Sequence, residues 1–250
     1  MQKLSFISLL LSTLTLIFSS NYALAIEQTS ETKATPLNIP FSLQAITVDG
    51  LLNDPIWSDA LAISLDIVND PWNNLASPVK TEAKIIEDGQ FLYISFLASD
   101  QNPEKIQAYL GDRDSRWADD LIGIKLDPYN NRRLNYEFLV NPHGVQHDSI
   151  YNEMTGGFNN LWDGIWYAAG KITEQGYQVE MAIPYTLLNF EDSDDIKTWA
   201  IELVRFYPRE TYLEISHVNI DRNNPCWLCQ YPEAKGFKQA KAGHKLQITP

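Results

Sequence analysis

A two-residue beat of apolar side chains, repeated along the chain and cut by turn residues, constrains this sequence most. It is clearest at Leu134-Asn135-Tyr136-Glu137-Phe138-Leu139-Val140. Successive side chains of a strand point to opposite faces, so Leu134, Tyr136, Phe138 and Val140 share one face, with Asn135 and Glu137 on the other. Asn141-Pro142-His143-Gly144 then reads as a turn, and Val145 to Asp148 as a returning strand. The same beat places Ile122, Ile124 and Leu126 on one face, then Tyr177, Val179, Met181 and Ile183, then Trp199, Ile201 and Leu203. Phe91 to Leu97 is apolar on both faces, as a central strand requires, and follows Asp88-Gly89, a hairpin turn closing a strand from Thr81 to Ile86. Tyr212 to Val218 and Lys245 to Ile248 predict two more strands. Helical pattern is confined to Asp54-Pro55-Ile56-Trp57-Ser58-Asp59-Ala60, with Asp54 as N-cap and Pro55 first in the helix, and to a single turn at Pro184 to Leu187. Many short strands with regular turns predict an all-β chain, an antiparallel β-sandwich with one or two short helices.

The N-terminus has a different pattern. A short positive start (Met1-Gln2-Lys3), an apolar stretch broken by Ser and Thr, and Ala23-Leu24-Ala25 form the three parts of a secretory signal peptide. The stretch is shorter and more polar than a membrane span, which needs about 20 apolar residues. The sequence therefore predicts residues 1–25 as a signal peptide, 26–40 as a flexible linker and 41–250 as one β-sandwich, with no transmembrane segment after cleavage. The expected location is the periplasm or outside the cell. With 32 acidic against 19 basic residues, the formal charge is −13. Such a surface repels nucleic acid, whose binding rests on Lys and Arg contacts to phosphate.

Five stretches in order resemble the family-nine-type carbohydrate-binding modules, which are close in fold to DOMON domains. Ile46-Thr47-Val48-Asp49-Gly50-Leu51-Leu52-Asn53-Asp54-Pro55-Ile56-Trp57 matches the family's opening strand, Asp-Gly, Leu, acid and Trp. Phe91-Leu92-Tyr93-Ile94, then Asp119-Asp120 with Ile122, Ile124 and Leu126-Asp127, follow in the family's order. Tyr136-Glu137-Phe138 with Asn141-Pro142-His143-Gly144, and Gly176 to Pro184, complete the set. The resemblance spans residues 44–207 and implies an antiparallel β-sandwich, carbohydrate as partner and, in some members, structural Ca²⁺. It leaves the glycan open.

Sugar recognition needs flat aromatic faces against pyranose C–H groups, and side chains that fork onto neighbouring hydroxyls. Such groups must lie where a ligand can reach them, chiefly in loops. Trp72 in Asp70-Pro71-Trp72-Asn73-Asn74, Trp117 beside Arg113, and Trp162 and Trp166 beside Asn160 meet that condition, with Trp162 and Trp166 foremost. Each is equally readable as a plug at the end of the sandwich, while Trp57 and Trp199 read as core. Ca²⁺ takes 6–8 oxygen ligands; Asp119, Asp120 and Asp127 are the candidates, with Asp112, Asp114 and Asp148 able to join, although Asp in turns has its own hydrogen-bonding uses. Cys226 and Cys229 form a Cys-x-x-Cys in a loop, which in an oxidising compartment predicts a short-loop disulfide that stiffens the display of Trp227.

No catalytic constellation stands out. There is no Gly-x-Ser-x-Gly elbow, His-Glu-x-x-His or phosphate loop, and 32 acids make chance carboxylate pairs inevitable. The leading expectation is a non-catalytic carbohydrate-binding module, active in glycan degradation. Two alternatives stay open. One is a b-type haem electron-transfer domain, for which Met154 with His143 or His147 would have to supply axial ligands; the other is a glycoside hydrolase, or a subunit or fragment of one.

Overall fold

The computed structural model describes residues 35–71 and 74–243. The expected signal peptide, Trp72 and the strand expected at Lys245 to Ile248 lie outside them. The described residues form strands β1 (Leu37–Asn38), β2 (Leu61–Ser64), β3 (Ile67–Asp70), β4 (Leu75–Ala76), β5 (Thr81–Glu87), β6 (Phe91–Ser99), β7 (Leu121–Asp127), β8 (Leu134–Val140), β9 (Gln146–Asn152), β10 (Gly157–Asn159), β11 (Tyr167–Thr173), β12 (Gly176–Pro184), β13 (Lys197–Pro208), β14 (Tyr212–Ser216) and β15 (Glu233–Gly236). Their helices are short 3₁₀ turns, among them Pro55–Ser58 and Tyr185–Leu187. Asp54 stands at the N-cap of the first and Pro55 opens it, as expected; the Asp54 carbonyl accepts Trp57 N, while its Oδ2 accepts the amide of Thr47 and no helix amide.

Two antiparallel sheets result. The smaller runs β11-β12-β6-β5-β2, which makes β6 central, as its two apolar faces require. The larger runs β10-β9-β8-β7-β13-β14-β3-β4, with β15 on the end of β13 and β1 parallel to β15. The two apolar inner faces pack into one core. Ile122, Ile124, Leu126, Tyr136, Phe138, Val140, Trp199, Ile201 and Leu203 meet Leu92, Ile94, Phe96, Tyr177, Val179, Met181 and Ile183 there. The period-two sets read from the sequence are thus the facing layers of a sandwich.

The opening motif has a separate job. Residues 46–60 cross the outer face of the smaller sheet, where Ile56 and Trp57 bury Ile86, Tyr93 and Ala182. Glu180 on β12 fixes that segment. Its Oε2 accepts the amides of Asp49 and Gly50 at 3.0 and 2.9 Å, and its Oε1 accepts Trp57 Nε1 at 2.9 Å. Gly50 has φ +81° there and lies against the Gly170 backbone, a position open to glycine.

One expectation is corrected. The stretch to residue 40 is not all linker: Leu37–Asn38 pairs with Ala234 and Lys235, and Ile39 is buried in the core. The second face of β8 is buried as well: Asn135 and Glu137 are covered, because the outer face of the larger sheet carries an interlocked polar layer of its own.

Candidate functional site

That outer face is the unusual surface of the molecule. Register places Ser149, Glu137, Lys125 and Glu202 side by side on β9, β8, β7 and β13. The next row is His147, Leu139, Gly123, Val204 and Ser216, and beyond it lie Leu121, Phe206 and Glu214. Leu121, Leu139 and Val204 form a small apolar floor. Over this floor opens a groove of about 440 Å³. Its walls are Trp117, Phe158, Phe206 and Tyr212, and its polar lining is Lys125, Glu137, Glu214 and Asn160. Trp117 is 39% exposed and Phe158 57%, so both offer ring faces to a ligand. Phe158 rests on Tyr151, with ring centroids 4.9 Å apart, and Phe206 on Tyr212 at 5.9 Å.

The charges are tightly coupled. Lys125 Nζ lies 3.1 Å from Glu202 Oε2 and 2.5 Å from Glu214 Oε1, while Glu137 Oε2 accepts the Ser149 hydroxyl. Burial pushes the Lys125 ammonium down, but the Glu202 and Glu214 carboxylates more than reverse that and hold it well above the usual lysine range. Burial pushes all three carboxyls up. Lys125 outweighs it only for Glu202, which stays below the usual range, whereas Glu137 and Glu214 remain above it. Three carboxylates compete for one ammonium, and Glu202 is favoured.

At the far end of this face the C-terminal loop closes over the sheet. Leu228 and Tyr231 pack on Ala200, and Arg132 Nη1 donates to the carbonyls of both. Cys226 and Cys229 are joined by a disulfide. Trp227, held between them, donates its Nε1 to the Tyr231 hydroxyl and stands 5.8 Å from Lys125 Nζ.

Of the residues nominated from sequence, Trp117 and Asn160 line this groove. Trp166 does not offer a stacking face. It is 3% exposed, packs edge-on against Phe138 and donates Nε1 to Asp148 Oδ2 at 2.8 Å. Trp162 is half-buried, wedged edge-on against Tyr136 and Phe138. This pair closes the sandwich because the core needs large side chains where the strands end. Arg113 is held by Asp148, Asp163 and Asp114, over the Trp166 ring. The sequence reading missed Phe158, Phe206, Tyr212, Lys125, Glu137 and Glu214. Phe206 and Glu214 lie on strands whose outward positions read as ordinary surface.

The acids proposed for Ca²⁺ have other partners. Asp119 Oδ2 accepts Tyr109 N and Asn141 Nδ2, and Asp120 accepts the Arg209 guanidinium fork and Gln107 N. Asp127, at the other end of β7, accepts the amides of Tyr129 and Arg132. These three do not fit a common cation. Among the described residues, the three acids brought within 4.8 Å of one another are instead Asp114, Asp148 and Asp163, with Arg113 among them supplying positive charge. Met154, the methionine considered for haem, is exposed in the turn after β9.

His147 is buried beneath the Trp117 ring, 4.8 Å between centroids. Neither ring nitrogen has a hydrogen-bond partner among the described residues. Burial lowers its pKa to about 4, with Asp119 opposing and Arg113 adding to the shift. The unfolded imidazole titrates near about 6.5, so this depressed folded value contributes stability above that pH and loses it as pH falls towards 4. On the order of 3 kcal/mol is at stake. Urea unfolding of wild type and His147→Phe at pH 7 and 4.5 should show a smaller acid loss in the variant; equal losses would place the acid sensitivity elsewhere.

An aromatic-walled, polar-lined groove on the open face of a two-sheet sandwich defines a small-ligand binding module. The chain belongs to the carbohydrate family 9 binding domain-like family, whose profile matches residues 48–207. Among solved structures it is similar to an inferred carbohydrate-binding protein from Bacteroides uniformis ATCC 8492, at 14% identity and TM-score 0.65, over 80% of this chain and 98% of that one. It is also similar to a carbohydrate binding module family 9 protein from Caldicellulosiruptor kristjanssonii in complex with cellotriose, at 17% identity and TM-score 0.57, over 86% of this chain and all of that one. The same organism's module with glucose gives 16% identity and TM-score 0.56. Likeness at such identities is a likeness of fold. No curated protein matches the sequence.

Proposed function

We propose that the groove binds an oligo- or polysaccharide without cleaving it. The carrying observation is the juxtaposition of exposed Trp117 and Phe158 rings with Lys125, Glu137, Glu214 and Asn160 across one cleft. Ring faces stack on pyranose C–H groups, and the polar groups accept from or donate to the hydroxyls. The family membership supports the same reading, as does a module of this fold that takes cellotriose and glucose. Calorimetric titration against glycans selected on an array tests it. Trp117→Ala and Phe158→Ala should each weaken binding by about 1–3 kcal/mol, the scale of a stacked aromatic contact. Folded variants that both bind like wild type would remove the groove assignment.

We also propose that the chain is exported by its N-terminal signal. The Ala23-Leu24-Ala25 site sets the new N-terminus at Ile26. Intact mass of protein recovered from the periplasm or medium checks this, and a mass retaining residues 1–25 would contradict it.

A further inference from the structure

Resting on that reading of the groove, we propose that its preferred ligand is an amino sugar chain, an oligosaccharide whose 2-amino groups are free and protonated. The observation is a charge imbalance. Lys125 is the one base among the described residues lining the groove. It is already taken up by Glu202 and Glu214, at 3.1 and 2.5 Å. Glu137 stands opposite it in register, feels its charge at longer range and accepts from neutral donors, the Ser149 hydroxyl among them. Three carboxylates thus surround one ammonium beneath an aromatic-walled cleft. A uronic acid would bring a further negative charge into this low-dielectric space, where like charges repel strongly. A neutral sugar leaves the imbalance as it is. An ammonium on the sugar ring offsets it, because a hydrogen bond between two ionised groups is roughly twice as strong as one between neutral groups.

Three further features point the same way. Burial and their crowding hold Glu137 and Glu214 above the usual carboxyl range, so both gain from a cationic neighbour. The walls offer Trp117, Phe158 and Tyr212 faces, which attract cations as well as sugar C–H groups. The whole chain carries a formal charge of −13, which steers a polycationic glycan towards it at low ionic strength.

Two trisaccharides that differ at one position per ring decide the matter: cellotriose, with a 2-hydroxyl, and fully deacetylated chitotriose, with a 2-ammonium. Calorimetry with wild-type protein should show deacetylated chitotriose bound about tenfold tighter than cellotriose, the margin of one charge-assisted over one neutral hydrogen bond. N-acetylated chitotriose and a trigalacturonate should lose that advantage. Raising salt should narrow the gap, since charge interactions are screened. Glu137→Gln and Glu214→Gln, each shown to be folded, should weaken deacetylated chitotriose more than cellotriose and so shrink the preference. Equal or tighter binding of cellotriose by wild type would overturn the amino-sugar assignment and leave sugar binding intact, as would a preference unchanged in both variants. Binding of no saccharide at all would remove the carbohydrate reading itself, and this inference with it.

Discussion

Phe138→Ala is expected to destabilise the protein by about 3–5 kcal/mol, the range for truncating a buried Phe in a close-packed core. Phe138 is fully buried at the centre of β8. It meets Trp162 and Trp166 edge-on at 5.8 and 5.4 Å and stacks near Tyr136 at 6.4 Å. Its removal opens a cavity under both Trp residues of the 159–166 loop, which its remaining anchors to Asp148, Gln146 and Tyr136 do not fill. Glu137→Gln next to it keeps the side-chain volume and an acceptor for Ser149, and takes away a carboxylate crowded by Glu202. It should stay within about 1 kcal/mol of wild type. Urea unfolding of the two variants checks the contrast, and equal losses would show that the inner face of β8 does not dominate its stability.

Lys125→Met should cost a similar amount for an opposite reason, about 3–5 kcal/mol at neutral pH, because it leaves buried carboxylates without their countercharge. Glu202 has no exposed surface and Lys125 Nζ is its ion-pair partner. Without the ammonium, burial would carry Glu202 above the usual range, alongside Glu137 and Glu214. A carboxyl raised in the folded state contributes stability below its unfolded value, near about 4.3, and loses it as pH rises through the folded value. The variant should therefore recover stability on acidification from pH 8 to pH 5, and Lys125→Met combined with Glu202→Gln should recover part of it at both. Denaturant midpoints at the two pH values measure this. A single variant as stable as wild type at pH 8 would show that Lys125 does not hold this cluster.

The inner layers were legible because burial on one face imposes a period of two. Tyr177, Val179, Met181 and Ile183 could sit nowhere else. The Asp88-Gly89 and Asn141 to Gly144 turns were legible from local chemistry: Asp88 Oδ1 accepts Gln90 N and Phe91 N, and Asn141 Oδ1 accepts His143 N and Val145 N. The candidate site was legible only at Trp117 and Asn160. Its remaining members sit on the outer face of the sheet, where a polar residue buried by its neighbours looks like one bathed in water. Glu137 illustrates this: its burial follows from Lys125, Ser149 and Glu202 on three other strands, none of which its own strand reveals. Trp162 and Trp166 misled for the converse reason, because a loop rich in Asn, Asp and Gly can still turn its large rings inward.

The attachment of the opening segment to Glu180 bears on the order of assembly. Asp49 and Gly50 find their acceptor about half the chain later, and among the described residues Leu37–Asn38 pairs with Ala234 and Lys235. Leu37–Asn38 therefore reaches its place only once the segment around residues 233–236 is also present. Contacts so far apart in sequence make folding slow, because much of the chain must be ordered before they form. Hairpins such as β5–β6 and β8–β9 close over far shorter stretches of chain than the pairing of β1 with β15. Until β15 is in place, Lys197–Ala200 of β13 lack their partner on that side, so delivery of the chain's later residues, not search alone, sets the earliest moment at which this part of the sheet can close.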